Sequence, residues 1–338
     1  MALDNISVKE ITSATDMPRI NYVGTPHLLI EPTRTNLFVN PSGFTDSGNW
    51  KRNASMVATG NATISPDGTL NATRLVKSGG GSRFGQEVAL TKDSTYTLSF
   101  YMKNNGGNAS LRAVAGSVQL YTITNDWARY EFTFTATSTE TSQIRLVSGV
   151  SDIDLFAFGA QLEVGSSATS YIPTDASIKT RLQDVAKDSG NSTLINSSEG
   201  ILYANIAPLG VDSSKRAISL NGGNDSDRLF IRYTTNNQLQ VIFRAGSVNV
   251  VNQLITLSNP LDFNQIAVSY KLNEFIIVVN GVQIGSTITS GAVFGTTVDN
   301  IDFEEYNGLN KFKGKVLQLA YYDEAAETIA QLQTLTTQ

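Results

Sequence analysis

The chain has 338 residues, of which 41 % are hydrophobic and only 16 % charged, and its formal net charge is −5. This length predicts two domains of about 150 residues each, and the low charge content is typical of all-β proteins with uncharged polar surfaces. The absence of cysteine excludes disulfides and thiolate metal sites, and an acidic chain without a basic block argues against nucleic-acid binding.

The first 26 residues are weakly patterned and are interrupted by Pro18, Gly24 and Pro26. A segment without an apolar face cannot hold itself folded, so we expect residues 1–26 to be an arm that orders only against another protein. The start of the chain lacks the cationic and apolar regions of a signal peptide, and no apolar run is long enough to span a bilayer. Synthesis in the cytoplasm without membrane insertion is therefore predicted.

Residues 27–174 carry strand patterning and are predicted to form the first domain. Apolar and polar side chains alternate over Tyr96–Met102 and over Tyr130–Ala136, and turn residues such as those at 104–107 separate the runs. Phe158–Val164 alternates in the same way and leads to an exit, predicted to be exposed, through residues 171–174. Evenly spaced strands without helical periodicity predict a β-sandwich or jelly roll.

Residues 175–199 are polar and rich in Ser and Asn, and they are predicted to be a linker to a second β domain at residues 200–338. In that domain Phe275–Val279 is a continuous apolar run followed by Asn280-Gly281, the strongest short hairpin signal. The chain closes with a strand over Leu317–Tyr321 and a helix over Asp323–Leu335, the only convincing helix of the sequence. The predicted fold class is all-β, with two sandwiches in tandem, a short N-terminal arm and a short C-terminal helix.

Two separated segments of the first domain resemble a module of bacteriophage tail and other virion proteins. These segments are LLIEPTRTNL at residues 28–37 and FGAQLEVGSSATSYIPT at residues 158–174. They are similar to the opening and closing of a jelly roll of carbohydrate-binding-module type, and they occur in the same order. The resemblance implies a virion protein with a structural and adhesive role.

The second domain resembles concanavalin-A-like, laminin-G-like lectin domains, including those appended to phage fibres. The resemblance lies in the order of three elements: a YKLNEFIIVVNGVQIG hairpin at residues 270–285, an FKGKVLQLAYYD strand at residues 312–323, and a short C-terminal helix. It implies a lectin-like sandwich.

Catalysis is not predicted, and no catalytic residue is assigned. The chain has one histidine, His27, and no cysteine, so Ser-His-Asp and Cys-His machinery is excluded. Glycoside hydrolysis needs two carboxylates roughly 5–10 Å apart. The acidic pairs Asp152/Asp154 and Glu304/Glu305 do not follow the Glu-x-Asp-x-x-Glu pattern of concanavalin-like glycosidases, and exposed loop acids are the simpler interpretation.

A calcium site is the one cofactor that the sequence suggests. Asn224, Asp225 and Asp227 place oxygen ligands in a Gly-containing loop, which suits a hard cation. The spacing is not that of an EF-hand, and a polar turn explains the same residues, because Asn, Asp and Gly dominate turns. Both interpretations remain open at this point.

Sugar binding usually needs an aromatic ring that stacks on the sugar, beside polar groups that bind its hydroxyls. In the first domain the leading aromatic candidates are Trp50 and Trp127, although each tryptophan is also suited to fill one end of its sandwich. Further aromatic candidates are Tyr121 in the first domain and Tyr233 and Tyr322 in the second. In the second domain the candidates are Tyr306 with its neighbours Glu305 and Asn307.

These features together predict a phage virion protein, part of a fibre, spike or decoration, that attaches to host-surface glycans without catalysis. Its location would be the virion, with residues 1–26 anchored to other virion proteins. A homotrimer is favoured over a dimer, because sheet edges need cover and several copies strengthen weak binding. The alternatives are a purely structural assembly protein and a surface-polysaccharide depolymerase.

Overall fold

The computed structural model describes residues 18–22, 24–53, 55–78, 83–106, 110–115, 117–148, 152–210, 214–235, 238–289, 291 and 293–338. These residues form antiparallel sheets and one short helix, which confirms the predicted all-β class. The chain divides into two compact units. The central unit comprises residues 33–181, and the split unit comprises residues 1–32 together with 182–338.

The strands up to the end of the central unit are β1 (Arg19–Asn21), β2 (His27–Ile30), β3 (Arg34–Asn36), β4 (Lys51–Arg52), β5 (Val57–Ile64), β6 (Leu70–Lys77), β7 (Arg83–Leu90), β8 (Thr95–Asn104), β9 (Ser110–Ala115), β10 (Ser117–Thr122), β11 (Ala128–Thr135), β12 (Glu140–Ser148), β13 (Ile153–Val164) and β14 (Lys179–Arg181). The remaining elements are β15 (Gly200–Pro208), β16 (Arg216–Asn221), β17 (Arg228–Tyr233), β18 (Leu239–Ala245), β19 (Val248–Ile255), β20 (Asn264–Lys271), β21 (Glu274–Val279), β22 (Val282–Gln283), β23 (Asn300–Asp302), β24 (Gly314–Tyr322) and helix α1 (Ile329–Leu335).

The central unit contains two five-stranded sheets, in the orders β11-β8-β13-β6-β5 and β10-β9-β12-β7-β4, and a two-stranded ribbon of β14 and β3. Alternating apolar side chains of both large sheets fill one core, as in a β-sandwich. Leu98, Phe100 and Leu162 come from the first sheet, and Phe84 and Ile144 come from the second. The period-2 patterns at Tyr96–Met102 and Tyr130–Ala136 therefore predicted real strands.

Strand β13 departs from simple alternation. Its pairing with β8 shifts register between Phe158 and Gln161, where Gly159 has a φ of +61° that favours glycine. Both Gln161 and Glu163 are buried, so the polar face of this strand is covered. The exit that was predicted to be exposed also packs inward, since Ile172 is 5 % exposed. The strand predicted over Phe158–Val164 is confirmed as part of β13, whereas the prediction of an exposed exit was wrong.

The split unit is also a sandwich, with sheets in the orders β1-β2-β24-β15-β20-β21-β22 and β19-β18-β17-β16-β23. Its core takes apolar side chains from both sheets, among them Leu229, Ile231 and Val268. The predicted hairpin is present between β21 and β22, where Asn280 and Gly281 have φ values of 48° and 78°. Positive φ at both central positions is what a type I′ turn requires.

The division of the chain differs from the predicted boundaries at 26/27 and at residues 175–199. Strand β2, assigned by sequence to the first domain, pairs with β24 of the split unit, and β1 pairs with β2. Residues 18–22 therefore belong to a sheet rather than to a free arm, whereas residues 1–17 lie outside the described residues. Residues 182–199 are not a linker, because Ile195 is 3 % exposed within the split unit's core. Pairing between strands that lie far apart in the sequence, as β2 and β24 do, cannot be read from the pattern of neighbouring residues.

The C-terminal helix is shorter than predicted and begins at Ile329 instead of Asp323. Thr328 is its N-cap and forms a capping box with Gln331, which satisfies free N–H groups of the first turn. Leu332 is fully buried and anchors the helix. Within the described ranges, no helix has the length and apolar character needed to cross a bilayer.

Candidate glycan-binding site

An arginine-rich surface lies on the outer face of the five-stranded sheet of the split unit. On β17, Leu229 and Ile231 point into the core, so Arg228, Phe230 and Arg232 lie on the opposite face. In register with these three residues on β18 are Arg244, Ile242 and Gln240. We call Arg228, Arg232 and Arg244, with the acidic partners Asp225 and Glu305, the arginine cluster.

The loop after β23 packs on this face through Glu305 and Tyr306. Nη1 of Arg232 donates to Oε1 of Glu305 at 2.7 Å, and both side chains are nearly buried. The Arg228 guanidinium lies 4.9 Å from the centroid of the Tyr306 ring, a favourable cation–π arrangement. Asn307 is exposed, and its side-chain oxygen accepts from the backbone N–H of Leu309 at 3.1 Å. The loop is thereby held in one conformation against the sheet.

Solvent reaches the cluster on one side. The side chain of Asp225 is 49 % exposed and that of Arg244 is 22 % exposed, whereas Arg228 is 11 % exposed. Tyr306 is partly exposed beside them. Glu305 was predicted to bind sugar hydroxyls, but its buried ion pair with Arg232 occupies it, and its role is to position the loop.

Arg228 and Arg244 lie opposite each other on neighbouring strands, where like charges are unfavourable. Burial and the charge of Arg244 lower the pKa of Arg228. Asp225 offsets the repulsion, since one of its oxygens contacts Nη1 of Arg228 and the other lies 3.2 Å from Nη2 of Arg244.

The predicted calcium ligands are already occupied by hydrogen-bond donors. Asn224 Oδ1 accepts from the backbone N–H groups of Ser226 and Asp227 at 2.9 and 3.2 Å, and Asp225 binds two arginines. Asp227 is 1 % exposed, and its carboxylate accepts from three donors: Gly246 N, Gly295 N and Thr296 Oγ1. The segment is therefore a hydrogen-bonded turn, which corrects the calcium interpretation. Among the described residues, no group of three or more acidic or histidine side chains is suited to hold a metal ion.

The two tryptophans of the central unit have different environments. Trp50 is 3 % exposed, packs edge-on against Phe44 and Phe38, and donates from Nε1 to the Asn40 carbonyl at 2.8 Å. It is a core residue whose ring is not available to a sugar, so that candidate is corrected. Trp127 is partly exposed, and its Nε1 donates to the Ile64 carbonyl at 3.1 Å.

The remaining tyrosine candidates also separate by exposure. Tyr233 is completely buried, and its hydroxyl donates to the Ile206 carbonyl, so it cannot contact a sugar. Tyr121 is partly buried against Phe100, and its hydroxyl donates to the Glu131 carbonyl. Tyr322 is 41 % exposed.

Three of the acids considered for hydrolysis, Asp154, Glu304 and Glu305, form ion pairs. Arg74 binds both oxygens of Asp154 at 2.6 and 2.8 Å, and this hydrogen bonding lowers the pKa of Asp154. Glu304 lies 3.5 Å from Nζ of Lys311, and Glu305 binds Arg232. A general acid of a glycosidase needs a raised pKa, which is the opposite of what Asp154 shows.

The residues that carry the phage-module resemblance form a buried polar network within the central unit. The Asn36 side chain donates to the carbonyls of Ala160 and Ile172 and accepts from the N–H groups of Phe38 and Leu162. Gln161 accepts from Ile172 N at 2.6 Å. Glu163 likewise accepts from Thr169 N at 2.9 Å. Asn36 thus joins the two segments, whereas Gln161 and Glu163 form their bonds within residues 158–174.

Sequence reasoning missed this network and the three arginines of the cluster. The arginines did leave a signal, because Arg228 and Arg232 are four residues apart on a strand, a spacing that places both on the same face of the sheet. Their convergence with Arg244 and Tyr306 depends on strand register and on the loop after β23, which no local pattern specifies.

No family model matches the chain, and no curated protein matches it. Among solved structures, it is similar to the CBM40 module of a Ruminococcus gnavus IT-sialidase, with 13 % identity, 45 % of this chain and 96 % of that chain covered, and a TM-score of 0.37. It is also similar to a SAP-like pentraxin from Limulus polyphemus, with 14 % identity, 44 % and 74 % covered, and a TM-score of 0.33. Domains LG4-5 of the mouse laminin alpha1 chain match with 7 % identity, 82 % and 92 % covered, and a TM-score of 0.30.

These neighbours include a carbohydrate-binding module and lectin-like β-sandwich domains, and none of the three is a phage protein. Sialidases and a glycosidic hydrolase also match. All of these TM-scores and identities are low, so no statement about the function of this chain rests on them.

Proposed function

We propose that this protein is a non-catalytic, glycan-binding structural protein of a phage particle, part of a fibre, spike or decoration. The virion assignment is supported by the resemblance of residues 28–37 and 158–174 to the phage module. The glycan-binding assignment is supported by the geometry of the split unit around Tyr306.

The observation that carries glycan binding is the fixed, partly exposed ring of Tyr306. Arg228 covers one face of this ring at 4.9 Å, so a sugar stacks on the opposite face. The side chain of Asn307, the next residue along the chain, is exposed and supplies groups for sugar hydroxyls. A ring held by its neighbours loses little conformational entropy on binding, which favours even a small contact.

Attachment by this route is multivalent. A single stacked sugar gives weak binding, and several copies on one particle raise the avidity by about 10²–10⁴. A homotrimer, with the segment before β1 docked to other virion proteins, would present the split units together. The protein would then act in the virion, on glycans of the host surface.

Glycan-array binding by the purified protein tests the proposal, with Tyr306→Ala as the decisive variant. We expect loss of array binding with a modest loss of stability, about 0.5–2 kcal/mol, because the variant also loses the cation–π contact with Arg228. Tyr322→Ala is the matched control, because Tyr322 is an exposed tyrosine of the same unit. Unchanged binding by Tyr306→Ala, or equal losses in both variants, would contradict the assignment of this surface.

A purely structural role is the second candidate, and the buried network around Asn36 favours it. That network explains the phage-module residues by folding alone, without a ligand. Particles that incorporate the protein while it binds no glycan on the array would establish the structural role. Release of reducing ends from capsule would instead show a depolymerase.

A further inference from the structure

One carboxylate serves two guanidinium groups in the arginine cluster. Arg232 is neutralised by Glu305, which leaves Arg228 and Arg244 with Asp225 as their single shared counter-ion among the described residues. The Nε–H groups of Arg228 and Arg244 are buried and have no hydrogen-bond partner. The cluster therefore retains one positive charge and two unused donors.

The acidic residues Asp227 and Glu304 do not neutralise the remaining positive charge of Arg228 and Arg244. Asp227 directs its carboxylate to Gly246, Gly295 and Thr296 instead of the arginines. Glu304 pairs with Lys311. An additional anion at Arg228 and Arg244 must therefore come from outside the cluster.

The shared carboxylate is the most accessible member of the cluster. Asp225 is 49 % exposed, while the side chains of Arg244 and Arg228 are 22 % and 11 % exposed. A ligand carboxylate that approaches from solvent meets Asp225 first and can replace it, because guanidinium groups bind carboxylates of either origin in the same bidentate manner. The Asp225 side chain has solvent to move into.

We propose that the glycan bound at Tyr306 carries a carboxylate, as a uronic acid does, and that this carboxylate binds Arg244 and Arg228. The inference rests on the proposed glycan-binding function and specifies the class of sugar. In a uronic acid the carboxyl group is attached directly to the pyranose ring. Because Arg228 covers one face of the Tyr306 ring at 4.9 Å and the sugar stacks on the other face, the carboxylate that reaches the arginines belongs to a neighbouring sugar of the same glycan, which passes the edge of the ring. Asp225 then competes with the ligand for the two arginines.

The test uses a uronate-containing oligosaccharide and its carboxyl-reduced, neutral form, with affinities measured by titration calorimetry on the full chain. We expect the wild type to prefer the acidic form, and Arg244→Gln to lower the affinity for that form about tenfold while leaving the neutral form unchanged. Asp225→Asn removes the competing charge, so it should raise the affinity for the acidic form. Lys271→Gln, which removes a cation from the other sheet of the same unit, is the control and should change neither affinity.

Arg244→Gln should lower the affinity for the acidic oligosaccharide and Asp225→Asn should raise it. These opposite changes distinguish competition between Asp225 and the ligand from a general loss of structure, which would lower both affinities. Equal affinity of the wild type for the acidic and neutral forms would overturn this inference and leave the proposed glycan binding intact. Weaker acidic-form binding by Asp225→Asn, at an unchanged melting temperature, would also overturn it. Absence of binding to every glycan on the array would instead contradict the proposed function itself.

Discussion

The buried amide of Asn36 offers a quantitative test of what closes the central unit. Asn36 is fully buried, and its side chain accepts from Phe38 N at 3.1 Å and from Leu162 N at 3.2 Å. It also donates to the carbonyl of Ile172 at 3.0 Å. Asn36→Ala leaves the two N–H groups without these partners. Each unsatisfied buried group costs about 1–3 kcal/mol, so the free energy of unfolding should fall by about 2–6 kcal/mol.

The two tryptophans make this measurement specific. Trp50 and Trp127 are the only tryptophans of the chain, and both lie in the central unit, so tryptophan fluorescence during urea unfolding reports on that unit. Thr35→Ala is the matched control, because the Thr35 hydroxyl contacts the Thr180 hydroxyl at 2.7 Å near the surface. It should change stability by about 0.5 kcal/mol or less. If Asn36→Ala and Thr35→Ala unfold at the same urea concentration, the hydrogen bonds of Asn36 do not hold residues 158–174 in place.

Two further predictions concern the central unit. Burial would raise the pKa of Asp67, but hydrogen bonds, chiefly from Thr69 and Asn71, lower it from 3.8 to about 2. The ionised Asp67 carboxylate therefore stabilises the folded state above the unfolded-state pKa, and this stabilisation is lost as the pH falls from about 4 towards 2. Urea unfolding should show that the difference in stability between the wild type and Asp67→Asn shrinks over this pH range. Gly85→Ala should destabilise the unit severely, since a Cβ atom there would lie 2.1 Å from the carbonyl oxygen of Ile144. A melting temperature within about 2 °C of the wild type would contradict that clash.

Elements with a local signature were predictable from the sequence. Period-2 alternation located β8 and β11, and the turn chemistry of Asn280-Gly281 located the hairpin between β21 and β22. Features that depend on distant partners were not predictable. Strand β2 is short, and its sequence is compatible with either domain; only its pairing with β24 assigns it to the split unit.

The candidate site shows the same limit. Tyr306 and Asn307 were identified because an aromatic residue beside an amide in a loop has recognisable chemistry. The prediction that Trp50 stacks on a sugar was wrong because Trp50 is buried, and the identity of a side chain does not reveal which residues cover it. The role of Glu305 was missed for a related reason, since its partner Arg232 lies far away in the sequence.

The pairing of β2 with β24 also determines the order in which the molecule can fold during synthesis. Leu28 lies opposite Val316, so the seven-stranded sheet stays open until the residues of β24 have been made. The central unit has all of its strands by residue 181 and can fold long before that. Because domains fold as units while the ribosome advances, the apolar side of β2 must wait uncovered throughout the intervening synthesis. Closure of the split unit is thus the slow, non-local step, and this is the stage at which the nascent chain is most exposed to misassociation.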